Sequence, residues 1–260
     1  MSIMPRGQVP ASAISLTVAV GAVTLWELMS QAGFISPLLA PAPTAVVRAL
    51  ITGFTTGEIA SHLLTSLYRV ASGLLIGATA GIVIGMLMGM SGRFRDIADP
   101  FVAAIHPIPK IAILPVVMAI LGIGDRSRIA VISLAVFFPM MINTMNGVLQ
   151  ISRTHLDVAR NYGATGMKLF TRVLLPASLP MVLSGLRIGV NLALLITISV
   201  EIAGATMGLG ALIWISWEVM RIEVLYASLL VIMALGISAN LLVRLVTDAI
   251  APWSVAERRR

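Results

Sequence analysis

The sequence predicts an all-α membrane protein of about six transmembrane helices, and three observations carry that expectation. Hydrophobic residues make up 58% of the 260 and charged residues only 11%, against roughly 25% charged in an average soluble domain. The few charges lie singly or in pairs between long uncharged runs. The basic residues divide unequally between the two sides that those runs imply. A soluble fold of this length covers its surface with polar side chains, and 18 basic and 11 acidic residues are too few unless lipid does the covering. Disordered and collagen-like readings fail on the apolar content and the unperiodic glycines. The absence of cysteine removes disulfide scaffolds, zinc thiolates and thiol nucleophiles.

The expected spans, taken in order, are 11–30, 67–91, 99–122, 129–151, 178–205 and 223–246, with the whole of 1–260 read as one transmembrane domain. Four of them centre on uncharged runs: Ala11 to Trp26 before Glu27, Val70 to Gly92 between Arg69 and Arg93, Ile129 to Ser152 between Arg128 and Arg153, and Val224 to Val243 between Glu223 and Arg244. Each approaches the ~20 residues that cross ~30 Å of hydrocarbon. The third contains Pro107, Pro109, Lys110 and Pro115, so it is expected to kink or break. The fifth contains Arg187 and Glu201. A secretory signal competes for the first run, but the run outlasts an apolar signal core and Ala40-Pro41-Ala42 lies well beyond it, so a retained helix is expected.

Six spans put both termini on one side. If that side is the cytoplasm, it holds Arg6, Arg93, Arg95, Arg153, Arg160, Lys168, Arg172, Arg244 and Arg258 to Arg260, against Arg48, Arg69, Arg126, Arg128 and Arg221 opposite. The excess supports cytoplasmic termini. It also accounts for the net charge of +7 without nucleic acid, since the basic residues form no stripe and no aromatics interleave them.

The second span carries Gly73, Gly77, Gly81, Gly85 and Gly89. Positions four apart form one slowly drifting ridge without side chains, against which another backbone can pack closely. Tight helix packing is the plainer reading, and a sliding surface for gating is the functional one.

Between the fourth and fifth spans, 153–176 is too polar to cross a membrane and too patterned for a floppy loop. Thr154 and Asp157 have capping-box spacing, Gly163 suits a left-handed helix end, and Thr165 can cap a second short helix. In that helix Leu169, Val173 and Phe170 face the membrane side, and Pro176 is expected to stop it.

This segment resembles the EAA loop of permease subunits in bacterial binding-protein-dependent ABC importers. Asp157-Val158-Ala159, three residues, Gly163, nine residues and Val173-Leu174-Leu175-Pro176 match Glu-Ala-Ala, three residues, Gly, nine residues and Ile-x-Leu-Pro. Asp replaces Glu, Val replaces the first Ala and Val replaces Ile, with the spacing intact. Pro107 to Ala112, Phe138 to Thr144, Gly185-Leu186-Arg187-Ile188-Gly189, and Glu201 followed by Gly208-Leu209-Gly210 resemble the nitrate, sulfonate and taurine branch.

The resemblance implies a type I importer permease in the bacterial inner membrane. It implies two permease copies forming a homodimer, two cytoplasmic ABC ATPases on the EAA loops, and a periplasmic or lipid-anchored binding protein that delivers the solute. Asp157, Val158, Ala159, Arg160, Gly163 and Pro176 would then form the ATPase-coupling loop. This chain is expected to bind no cofactor, with ATP and Mg on the partner ATPase. Consistently, no Gly-rich loop ends in Gly-Lys-Ser/Thr, and Gly163 to Lys168 lacks that spacing.

Charges within spans are unfavourable and mark candidate function. Arg187 and Glu201 are 14 residues apart, hence ~21 Å along a helix and within ~40° of one face. They read either as a pathway wall or as a snorkelling arginine and an interhelical acid. Lys110 either compensates an anionic solute or bonds carbonyls freed by its neighbouring prolines. His62, His106 and His155 have no metal-ligand spacing. An intramembrane enzyme would need a convergent catalytic set, which the isolated histidines and carboxylates do not offer. A stand-alone secondary transporter or channel remains the rival to the permease.

Overall fold

The computed structural model describes residues 11–251, so Arg6 and Arg258 to Arg260 lie outside the described residues. The chain runs α1 (Ala11–Gln31), α2 (Pro43–Thr55), α3 (Glu58–Met90), α4 (Gly92–Ile105), a 3-10 turn (Lys110–Ile113), α5 (Leu114–Leu121), α6 (Asp125–Leu149), α7 (Arg153–Asn161), α8 (Gly166–Leu169), a π turn (Phe170–Leu174), α9 (Leu175–Ile202), α10 (Leu209–Glu218) and α11 (Ile222–Ile250). No strand occurs among the described residues.

Among those residues α3, α6, the continuous segment Gly166–Ile202 and α11 are each long and apolar enough to cross a bilayer. The pair Gly92–Ile105 and Lys110–Leu121 adds a fifth span if its 86° bend lies within one crossing. Pro107 and Pro109 fall in that break, where missing donors prevent the helix from continuing. The helix α1 has 21 residues, ~31 Å if straight.

Two compact units are present, one of residues up to Ala60 with Leu212–Leu230 and one of Ser61–Ala211 with residues from Val231 on. In the first, α2 begins with Pro43, where a missing N–H is harmless, and Ala42 supplies no side-chain cap. The cap comes from α1. Glu27 accepts from the Thr44 backbone N–H at 3.0 Å and from its hydroxyl at 2.8 Å, which sets a carboxylate at the positive end of α2. Arg221 donates to both oxygens of Glu58 at 2.7 and 2.8 Å, and that hydrogen-bonded carboxylate holds the guanidinium above its ordinary pKa. The Tyr226 hydroxyl donates to Leu39 O at 3.0 Å.

In the second unit α6 packs between α3 and α9. A Cβ on Gly73, Gly77, Gly81, Gly85 or Gly89 would fall within 3.0 Å of α6, against Ile132, Ser133, Met140, Met141 and Val148 respectively. The two backbones therefore approach along most of their shared length, the close packing that helices use where lipid gives no hydrophobic drive. On the other side of α6, Gly147 faces Ser178 and Met181, Gly185 faces Asn143, and Gly189 faces Val136. Val131, Ile132, Val136, Met140, Ala193 and Val200 fill the resulting core.

Several boundaries differ from the sequence expectation. α3 begins at Glu58 rather than 67 and α6 at Asp125 rather than 129, because Arg69 and Arg128 are buried helix residues, 3% and 6% exposed. The fifth span ends at Ile202. The short helices α2 and α10 were not expected, since neither is long enough to register as a span.

Candidate functional site

The loop 153–176 is built from local rules. Ser152, not Thr154, caps α7, its hydroxyl accepting from the His155 N–H at 3.3 Å. At the other end Gly163 adopts φ +76°. Its N–H donates to Arg160 O at 2.9 Å, and the Ala164 N–H donates to Ala159 O at 2.9 Å. Those two bonds satisfy the last carbonyls of α7 and reverse the chain in the left-handed conformation that glycine adopts without strain. Thr165 precedes α8 without a side-chain cap.

Pro176 does not stop the following helix. It sits in the first turn of α9, directly after the π turn Phe170–Leu174. The wider turn accommodates a ring that would clash with a carbonyl four residues back and a position that has no N–H to give. The loop is thereby continuous with a membrane-crossing helix.

One face of the loop is anchored and the other open. Leu156, Leu169 and Phe170 pack on the core of the second unit, while Val158, Tyr162 and Met167 are 49%, 90% and 74% exposed. Val158, Ala159 and Pro176 line a 420 Å³ groove with His155 and Arg172. Asp157 and Arg160 lie 3.8 Å apart and are both exposed, so their pairing adds little stability and leaves both polar heads available.

At the opposite end of α6 and α9 lies a buried polar cluster. Glu201 is 0% exposed. Arg69 donates to its Oε1 at 2.8 Å, the Ser66 hydroxyl approaches both carboxylate oxygens at 2.9 and 2.8 Å, and the Gly210 N–H donates to Oε2 at 2.9 Å. Arg69 also reaches Asp125 through Nε at 2.8 Å and Nη2 at 2.7 Å, and Met207 O at 2.6 Å. His62 Nδ1 lies 2.8 Å from Gly208 O and 3.1 Å from Gly208 N. Arg128 donates to Gly204 O at 2.9 Å. Gly208 has φ +117°, and a Cβ there would collide with the Glu201 carboxylate. Two arginines and two carboxylates thus tie α3, α6, α9 and the turn 203–208 together.

The sequence-named pathway candidates are not brought together. Glu201 is committed to the buried cluster. Lys110 donates to Ile105 O, His106 O and Ile108 O at 3.2, 2.7 and 2.8 Å, compensating the proline-broken backbone. Arg187 is half-buried on α9, and no hydrogen bond or ion pair joins it to another described residue. By sequence Arg69 was read only as the flank of a span and His62 only as lacking metal-ligand spacing, and Asp125 and Ser66 were not singled out. Their one visible signal is an arginine at the start of a long apolar run, in a helix whose first turns already carry Glu58, His62 and Ser66.

The family model described as binding-protein-dependent transport system inner membrane component matches residues 77–254. The chain is 32% identical over 247 residues to the taurine transport system permease protein TauC of Escherichia coli strain K12, covering 92% of this chain and 90% of that one. It is 33% identical to the putative aliphatic sulfonates transport permease protein SsuC of the same strain, covering 87% and 88%. A chain of the inward-facing MetNI methionine ABC transporter superposes with a TM-score of 0.59 at 20% identity, covering 71% of this chain and 94% of that one. That last likeness is one of fold.

Proposed function

The chain belongs to the family of binding-protein-dependent transport system inner membrane components, and on that footing we propose that it moves a small anion into the bacterial cytoplasm as the permease subunit of an ATP-driven importer. The solute class is a sulfonate, taurine, nitrate or a similar small organic anion. Two relatives named for taurine and aliphatic sulfonates, each about a third identical over most of the chain, support the sulfonate end of that range. Subunits of this family are not catalytic. Hydrolysis of ATP with Mg falls to two partner ATPases, and a binding protein delivers the solute to a pair of permease copies. Both termini face the cytoplasm in this reading, which the distribution of basic residues supports.

The observation that carries the mechanism is the anchored loop with one open face. A rigid helix–turn–helix continuous with α9 transmits a displacement of its exposed side to a membrane span, where a floppy loop would absorb it. Closure of the ATPases pulls the two loops together, and the attached helices swing between inward-open and outward-open arrangements. Asp157, Arg160 and the groove containing Val158 and Ala159 form the docking rim, with Gly163 fixing the angle between its two halves.

Because the chain has no cysteine, Tyr162→Cys gives a single thiol on the open face. Co-expressed with its ATPase, that variant is expected to cross-link to the ATPase with a short maleimide–succinimidyl ester, which joins the thiol to a lysine amine, and to be shielded from maleimide labelling in the complex. Free labelling in an intact complex, with no cross-link, would rule out docking at this loop.

A further inference from the structure

A cavity of 460 Å³ opens beside the proline-broken turn between α4 and α5, lined by His106, Lys110, Asn143 and the α9 residues Ile188, Leu192 and Ile196, among others. We propose that this cavity is a transient binding site for a small singly charged oxyanion, held by the charge of Lys110 and hydrogen-bonded by Asn143 and His106. The proposal rests on the permease reading above and assigns the solute a stopping place within the membrane.

Lys110 is the charged centre of this cavity. Its three carbonyl acceptors use all three ammonium protons and fix the charge in place. Carbonyls solvate the ammonium but carry no net charge, so the site keeps a net positive charge. Lys110 takes part in no ion pair among the described residues, and no residue lining the cavity is acidic. The Phe138 ring, 4.7 Å from Nζ, adds only quadrupole attraction. Arg187, one residue before the cavity-lining Ile188, is a second cation without a partner among the described residues. Backbone carbonyls are among the partners that make such a cation tolerable within a span, and a transported anion adds the mobile counter-charge that they lack.

The hydrogen-bonding groups are held in position as well. Asn143 gives one amide proton to Pro139 O at 2.8 Å and keeps its second proton for a ligand. Its Cβ lies over Gly185, where an added Cβ would come within 2.9 Å of it, so α6 and α9 both fix its place. His106 is exposed on the turn, its ring 5.2 Å from that of Phe138. A neutral solute gains nothing from the Lys110 charge, and a cation is repelled by it.

Trifluoromethanesulfonate, followed by its fluorine NMR line, is the probe, titrated against the permease–ATPase complex in lipid nanodiscs. Saturable broadening is expected, displaced by ethanesulfonate and not by ethanol. Asn143→Asp puts a carboxylate into the same volume and is expected to weaken binding about a hundredfold or more, since it removes the donated bond and sets two like charges close together at intermediate dielectric. Asn143→Ala loses the same carbonyl bond and the bond to the anion without adding charge, and is expected to weaken binding about tenfold, as for one hydrogen bond to a charged group. Lys110→Met abolishes the broadening and Lys110→Arg retains it. Saturable binding that is unchanged in Asn143→Asp, or that survives Lys110→Met, overturns the site. Co-purification of the ATPase with each variant reports an intact fold. Failure of the native chain to hold any ATPase would overturn the permease reading instead, so the two failures are distinguishable.

Discussion

Glu201→Ala is expected to destabilise the folded chain by about 3–5 kcal/mol, because it leaves the Arg69 guanidinium buried without its inner partner. Arg69 is 4% exposed in its side chain and Glu201 0%, so water cannot replace the lost contact. Thermal unfolding of the purified chain in detergent reads the loss as a lowered midpoint. The same pair replaced together by apolar residues of similar volume, Arg69→Met with Glu201→Leu, is expected to recover only part of the stability: neither charge then remains to be desolvated, but the Gly210 N–H and Met207 O lose their buried partners. Asp125 gives the internal comparison. It also pairs with Arg69, but its side chain is 47% exposed, and Asp125→Asn is expected to cost less than about 1 kcal/mol. Equal losses at Asp125 and Glu201 would show that burial is not what makes the cluster matter.

Gly163→Val is expected to reduce solute-stimulated ATP hydrolysis of the assembled importer by about tenfold or more, the effect of misplacing an interface that must close in register. The residue holds φ +76°, which disfavours a β-branched side chain by roughly 1–2 kcal/mol. That amount is small beside the stability of a membrane bundle, so the midpoint of unfolding is expected to move little. The local consequence is larger, because escaping the strain breaks the two hydrogen bonds that set the angle between α7 and α8. Gly163→Asn is the control. Asparagine tolerates the left-handed region, so it is expected to retain most of the activity that valine loses. Loss of activity in both variants alike would mean that the backbone angle is not the determinant.

How far the sequence could be read depended on the range of the interaction. The loop 153–176 was legible because its turn is set within a few residues: Gly163 reverses the chain whatever α3 or α9 does. The glycine ridge of α3 was legible as a close-packing face because four-residue spacing is a property of the helix itself. The break at Pro107 and Pro109 follows from missing donors alone. The buried cluster was not legible, because its partners are far apart in sequence. Arg69 meets Glu201 across 132 residues and His62 meets Gly208 across 146. Reading Arg69 as the limit of a span assumed that a charge marks the membrane edge, which fails for a charge paired inside the bundle. Pro176 misled for a related reason: its effect depends on whether the preceding turn can widen, and the π turn at Phe170–Leu174 leaves no mark in composition. Thr154 was displaced as the cap by Ser152, two residues earlier and equally able to accept the bond.

As a permease subunit, this chain is expected to carry solute only as part of an ATP-driven assembly. The direct measurement is uptake of radiolabelled taurine or ethanesulfonate into proteoliposomes containing the chain, with the ATPase, ATP and the binding protein each present or withheld. Uptake is predicted only when all three are supplied, with ATP on the face that bears loop 153–176 and the binding protein on the other. Uptake by the chain alone, driven by an ion gradient and indifferent to ATP, would contradict the account and make the protein a secondary transporter.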